Sequence, residues 1–170
     1  MENNKNTTIG IIGIAIVILA AGIAIAVTKP NNQPRNNDVN TNQNYSLSSE
    51  EKAFDFGTIS MAAGKVSHSF RIKNNGDAPV KVAKVYTSCM CTEAFWVKSD
   101  VKMGPFGMPG HGIVPKINQT LEPGAEANIE VIFDPAAHGP AGVGPIERVT
   151  YLEGEKNMLL EVGIKAIVAP

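Results

Sequence analysis

The sequence has few of the features that mark nucleic-acid-binding proteins and hydrolases. Its 170 residues contain no cluster of basic side chains, and from residue 46 onward 12 Lys and Arg stand against 14 Asp and Glu. Because no basic surface is expected to follow a phosphate backbone, nucleic acid is not an expected partner. No motif combines a nucleophile with a base and an orienting group. We therefore expect a protein that is not an enzyme, with thiol redox chemistry as the one activity left open.

Long runs of helix-forming residues at helical spacing are also missing. The chain instead contains 16 Gly and 11 Pro, together with frequent Val, Ile and Thr. This composition is typical of strands that are joined by tight turns. We expect one compact β-rich domain, because 170 residues allow a single ordinary core.

Residues 9–27 form the one long apolar run, with an N-terminal tail at residues 1–8. An uncharged run of this length approaches the ~30 Å hydrocarbon thickness of a bilayer and predicts a transmembrane helix or uncleaved signal anchor. A cleaved signal peptide is the alternative, since Lys5 precedes the run and Ala24 and Ala26 are small. We expect the C-terminal part to lie in the periplasm or outside the cell, tethered to the membrane.

Residues 28–49 contain seven Asn, two Gln and two Pro, and almost no apolar side chains. Such a segment buries too little apolar surface to fold, so it is predicted to be a flexible linker. The folded domain is expected to occupy residues 50–170.

Alternation of apolar and polar residues then predicts about seven strands. They are expected at residues 53–59, 66–73, 80–87, 94–97, 127–133, 146–152 and 158–168. Asn74 to Asp77 tolerate positive φ and predict a hairpin between the second and third strands. Residues 102–115 are rich in Gly and Pro and predict a long irregular loop. About seven short antiparallel strands in this length indicate an immunoglobulin-like sandwich.

Several segments resemble a known family when they are taken in order. They are FDFGTI, FRIKNNGDAPVKVAKVYTSCMCT, LEPG, IEVIFDP, HGPAGVG and LLEVGIKAIV. This series, from Phe54 to Val168, resembles the bacterial domain-of-unknown-function family 1573, which is similar to the ASH and major-sperm-protein type of immunoglobulin-like domain. The resemblance implies a seven-stranded sandwich and no established enzymatic activity. Relatives with this fold are mainly binding modules, so it also implies an unknown protein partner.

The stretch YTSCMCT contains both cysteines, Cys89 and Cys91. In an extended strand, residues two apart face the same side, so both sulfurs would be presented together. Soft sulfur ligands favour Cu(I), and the loop at residues 102–115 supplies Met103, Met108 and His111 as further ligands. One hypothesis is therefore a copper-binding domain.

Two other interpretations of the cysteines stand beside copper. They are small residues of the type most often buried, or they form a simple disulfide. A reducible disulfide would instead make the chain a thiol-disulfide redox module, although no Lys or His is adjacent in the sequence to favour a thiolate. His68 is expected at the edge of the core, and the turn around His138 does not explain that histidine. The leading interpretation remains a membrane-anchored binding or scaffolding module.

Overall fold

The computed structural model describes residues 46–170, which form two five-stranded β-sheets around one core. The strands are, in chain order, β1 (Leu47–Ser49), β2 (Ala53–Ser60), β3 (Val66–Asn74), β4 (Val80–Thr87), β5 (Thr92–Lys98), β6 (Val101–Phe106), β7 (Lys116–Leu121), β8 (Glu126–Phe133), β9 (Gly144–Glu153) and β10 (Met158–Ala169). Short 3-10 helices occur at Met61–Ala63 and Gly139–Gly142. The predicted all-β class is confirmed, but the described residues contain ten strands rather than about seven.

The predicted tail at residues 1–8, the predicted transmembrane helix at residues 9–27 and most of the predicted linker lie outside the described residues. Among residues 46–170, no helix combines the length and the apolar character that a membrane span requires. The predicted linker extends too far at its C-terminal end. Leu47 is buried and β1 pairs with β3, so the domain begins before residue 50.

The first sheet has the order β1-β3-β8-β5-β6 and the second the order β2-β10-β9-β4-β7. Every pairing is antiparallel except that of β2 with β10, which is parallel. The prediction of a purely antiparallel sandwich is therefore wrong at this edge. The alternation of apolar residues places Phe70, Trp96 and Ile129 of the first sheet against Val82 and Leu152 of the second, all almost completely buried.

The predicted hairpin between β3 and β4 is wrong, because these strands lie in different sheets. Asn74, which is completely buried, explains the change of direction. Its side-chain amide donates to the carbonyl oxygens of Ala78 and Leu121 at 2.9 and 2.8 Å, and its side-chain oxygen accepts from the backbone N–H of Gly76 at 3.0 Å. These bonds hold a turn that carries the chain from the first sheet to the second.

The predicted irregular loop at residues 102–115 is wrong in its first part, which is strand β6. Gly104, at φ +134°, lies where a Cβ would approach the Ala94 carbonyl oxygen and the Phe95 ring, both at 2.8 Å. Glycine at this position therefore permits β6 to pair closely with β5. Only the part from Gly107 to Pro115 lacks strand structure.

Candidate functional site

The two cysteines lie in the turn that connects β4 of the second sheet to β5 of the first. The Thr92 backbone N–H donates to the Cys89 carbonyl oxygen at 3.1 Å, as in a β-turn. The Cα atoms of Cys89 and Cys91 are 5.2 Å apart, and their side chains form a disulfide. The expectation of an extended strand here is thus wrong, because the chain must turn where it passes between the sheets. Met90, between them, is 52% exposed.

Hydrogen bonds to neighbouring elements fix this turn in place. The buried Thr87 hydroxyl lies 3.0 Å from the carbonyl oxygens of both Cys89 and Thr92 and donates to them. The Asp134 backbone N–H donates to the Cys91 carbonyl oxygen at 2.9 Å. Ser88 is joined to Val149 of β9 by two hydrogen bonds of 2.9 Å each. The disulfide is therefore held against the end of β8 and the middle of β9.

Two side chains from distant parts of the sequence contact the sulfur atoms. His138 precedes the 3-10 helix at Gly139–Gly142, and its Nε2 lies 3.2 Å from the Cys89 Sγ. Arg148 of β9 donates from Nε to the Cys91 Sγ at 3.3 Å. No Lys or His adjoins the cysteines in the sequence, but the fold brings a histidine and an arginine into contact with them. One indication of a role for His138 is present in the sequence: the Gly- and Pro-rich turn around it does not require a histidine.

The disulfide is almost completely covered by the protein, and both cysteines belong to the buried core. Cys89 is 9% exposed and Cys91 is 3% exposed. Cys89 lines an open cleft of about 500 Å³ together with Met90, Met108, His111 and His138. Cys91 lines a separate and much smaller pocket of about 60 Å³, so the cleft at Cys89 offers more room for the thiol of a partner protein.

The structure separates the residues of the predicted copper site into two groups. Met108 and His111 line the same cleft as Cys89. Met103 is on β6, opposite Trp96 of β5, and packs against the hydrophobic core. Among the described residues, the group of potential metal ligands is Cys89, Cys91 and His138, whose ligand atoms all lie within 4.8 Å of one another. The arrangement thus offers two sulfurs and one imidazole at one end of the sandwich.

His68 occupies the position at the core edge that the sequence predicts. Its ring stacks on Phe54 with centroids 3.8 Å apart, and its Nε2 lies 2.7 Å from a carboxylate oxygen of Glu51. Trp96 is completely buried and lines no surface near the cysteines. Neither residue contributes to the site.

Comparison with protein families confirms the resemblance that the sequence motifs indicate. Residues 47–107 match DUF1573, a family described as proteins of unknown function. The matched segment contains both cysteines and ends before His138 and Arg148. No curated protein matches the sequence.

Solved structures show similar folds at low sequence identity. A protein of unknown function from Porphyromonas gingivalis W83 aligns with a TM-score of 0.50 and 15% identity, over 71% of this chain and 46% of that one. The secreted serine protease VesC from Vibrio cholerae aligns with a TM-score of 0.49 and 17% identity, over 79% and 26% of the two chains. The ASH/PapD-like domain of human CEP192 aligns with a TM-score of 0.42 and 13% identity, over 74% and 86%. This chain thus spans less than half of the Porphyromonas protein. At 15% identity the similarity to that protein is evidence about the fold and not about function.

Proposed function

We propose that the Cys89–Cys91 disulfide undergoes thiol-disulfide exchange with partner proteins. The family that residues 47–107 match has no known function, so the proposal is argued from the site itself. One observation carries the proposal: each sulfur has its own basic neighbour. His138 lies 3.2 Å from Cys89 and Arg148 lies 3.3 Å from Cys91. A purely structural disulfide in a core has no need of such neighbours, because its sulfurs never become charged.

The exchange begins at Cys89, which is the sulfur on the cleft. A partner thiolate attacks the Cys89 Sγ, a new S–S bond forms, and the Cys89–Cys91 bond breaks. Cys91 leaves with the electron pair as a thiolate. The second partner thiolate then attacks the partner's sulfur in the mixed disulfide, which closes the partner's disulfide and releases Cys89. Two electrons pass from the partner dithiol to the cysteine pair, and two protons follow them through solvent.

The neighbours of the sulfurs favour each stage of this exchange. The Arg148 guanidinium lies beside the leaving sulfur, and a nearby cation stabilises a thiolate. The Cys91 backbone N–H points at the Cys89 Sγ, 3.3 Å away, and supports a charge on that sulfur. The His138 imidazole supplies or takes a proton at the Cys89 Sγ. The stability of the leaving thiolate is one determinant of the rate of exchange, and it is the one on which the Arg148 contact acts.

The other predicted properties stay predictions. They are the membrane anchor, a location in the periplasm or outside the cell, and the role as a binding or scaffolding module for an unknown protein. The exchange proposal is compatible with them, since disulfides persist in oxidising compartments. A binding module with an exchangeable disulfide would capture its partner first through the mixed disulfide at Cys89.

The test is a redox titration of the full chain. The protein is equilibrated in glutathione buffers, the free thiols are alkylated, and the number of added groups is counted by mass spectrometry. We expect a single two-electron transition from no alkylated cysteines to two, with a midpoint above about −300 mV, where structural disulfides do not respond. A chain that stays unalkylated from about −180 to −320 mV would refute the proposal. A Cys89→Ser variant provides the control, because it fixes the mass of a chain with one alkylated thiol.

A further inference from the structure

We propose that the reduced pair, Cys89 and Cys91, binds one Cu(I) ion with His138 as the third ligand. The ligand atoms of these three residues lie within 4.8 Å of one another. The inference rests on the exchange function, because the disulfide has no thiolate to offer a metal. Binding converts two thiols and one Cu(I) into a copper dithiolate and releases two protons.

The geometry of the site suits a three-coordinate ion. With metal–sulfur and metal–nitrogen bonds of about 2.3 and 2.0 Å, a planar three-ligand site has ligand atoms about 3.7–4.0 Å apart. The His138 Nε2 already lies 3.2 Å from the Cys89 Sγ. Reduction frees the sulfurs to separate by side-chain rotation, while the Cα atoms stay 5.2 Å apart in a turn that hydrogen bonds hold on both sides.

The type and number of the ligands favour Cu(I) over Zn(II), and Cu(I) also leaves the site neutral. Two thiolates and the Arg148 cation sum to one negative charge, which a monovalent ion neutralises. A divalent ion leaves the site with one positive charge beside the guanidinium, whose Nε lies 3.3 Å from the Cys91 Sγ. A closed zinc site also requires four ligands, whereas soft thiolates select Cu(I).

Hydrogen bonds to the sulfurs support the same conclusion. The Cys91 backbone N–H and the Arg148 Nε–H each point at one sulfur, at 3.3 Å. Donors of this kind orient metal ligands and offset the charge of a dithiolate. The inferred ligand set therefore differs from the one that the sequence predicts: His138 enters, Met103 belongs to the core, and Met108 and His111 line the cleft beside the site.

The test uses the full chain, reduced and kept free of oxygen, in competition with a chromophoric Cu(I) chelator. We expect one Cu(I) per chain and no binding by the Cys89→Ser/Cys91→Ser variant. The His138→Ala variant should bind at least about tenfold more weakly. His111→Ala and Met108→Leu are the matched controls, and they should bind within about twofold of the unaltered chain.

Alkylation of the same reduced sample separates the two proposals. Two free thiols without copper binding would overturn the metal site and leave the exchange function intact. A pair that resists reduction would overturn both. Equal losses in His138→Ala and His111→Ala would refute the ligand assignment, and tighter binding of Zn(II) than of Cu(I) would refute the choice of metal.

Discussion

Replacing Arg148 with glutamine removes the cation next to the sulfur that leaves during exchange. The Nε–H of Arg148 faces an uncharged sulfur in the disulfide, and in the proposed exchange it would face the Cys91 thiolate that reduction releases. The side chain therefore stabilises the reduced state more than the disulfide. The Arg148→Gln variant should have a more negative reduction potential and a slower reaction with dithiols.

The size of the effect follows from the environment of this contact. A hydrogen bond to a charged group contributes about 1.5–3 kcal/mol. Arg148 is half-buried, so solvent screens part of the interaction and the lower value of about 1.5 kcal/mol applies. For a two-electron couple this corresponds to about 30 mV, and it corresponds to about a tenfold decrease in the rate if the full contribution acts on the leaving thiolate.

Two measurements check the prediction. The midpoint potential comes from the glutathione titration with alkylation, and the rate comes from reduction by dithiothreitol with acid quenching. Arg71→Gln is the matched control, because Arg71 is an exposed arginine on β3 whose Nε pairs with Glu126 at 3.5 Å. An Arg148→Lys variant retains the charge and should recover part of the loss.

The outcome that contradicts the reasoning is specific. If Arg148→Gln has a midpoint within about 10 mV of the unaltered chain and reacts within about twofold of its rate, the guanidinium does not stabilise the leaving sulfur. Urea unfolding of both forms accompanies the assay, so that a loss of fold is not mistaken for a loss of exchange.

Three further predictions concern stability and are measured by urea unfolding. Burial, followed by the hydrogen bond that its hydroxyl donates to Glu153 at 2.5 Å, raises the pKa of Tyr86 to about 12 from 10.0. The neutral form is thus favoured in the folded state. Because solvent screens this partly exposed group, about 1 kcal/mol of stability is expected to be present below pH 10 and lost as the pH rises through 12. Tyr86→Phe should lack this pH dependence, and Tyr151→Phe should retain it. Asn74→Ala should cost about 1–3 kcal/mol, because it leaves the buried Leu121 carbonyl oxygen and the partly buried Ala78 carbonyl oxygen without their donor. An unchanged midpoint would contradict that role. Trp96→Ala should cost about 3–5 kcal/mol. Trp96→Phe should cost much less, since Nε1 has no hydrogen-bond partner among residues 46–170.

The sequence predicts the strands whose side chains alternate without interruption. In β3 and β8 the apolar residues repeat every second position, and both strands were predicted within one residue of their observed ends. In β7, Ile117 and Leu121 are buried, but Asn118 has φ +48° and the register shifts within the pairing with β4. The break in backbone conformation removes the alternation, so no pattern marks this strand.

The periodicity of the sequence does not predict which side chains surround the cysteines. His138 is 49 residues from Cys89, and Arg148 is 57 residues from Cys91. They contact the disulfide because the turn from β4 to β5 is hydrogen-bonded to two places in the fold. One is the start of the connection from β8 to β9, which contains His138, and the other is β9 itself, which contains Arg148. Local pattern predicts which face of a strand is buried, but it does not predict which turns of a sandwich share one end. The same reason explains why Met103 was placed at the site.

The two-residue separation of Cys89 and Cys91 has a thermodynamic consequence for the whole domain. A disulfide stabilises a fold chiefly by restricting the conformations of the unfolded chain. For a ring of three residues this contributes about 1.5 kcal/mol to the free energy of unfolding, compared with about 3 kcal/mol for a ring of 15 residues. The oxidised sandwich is therefore more stable than the reduced one by about 1.5 kcal/mol, half of what a 15-residue ring would contribute. Reduction of this pair therefore lowers the ratio of folded to unfolded chain by about tenfold, a modest change for a domain that one core holds together.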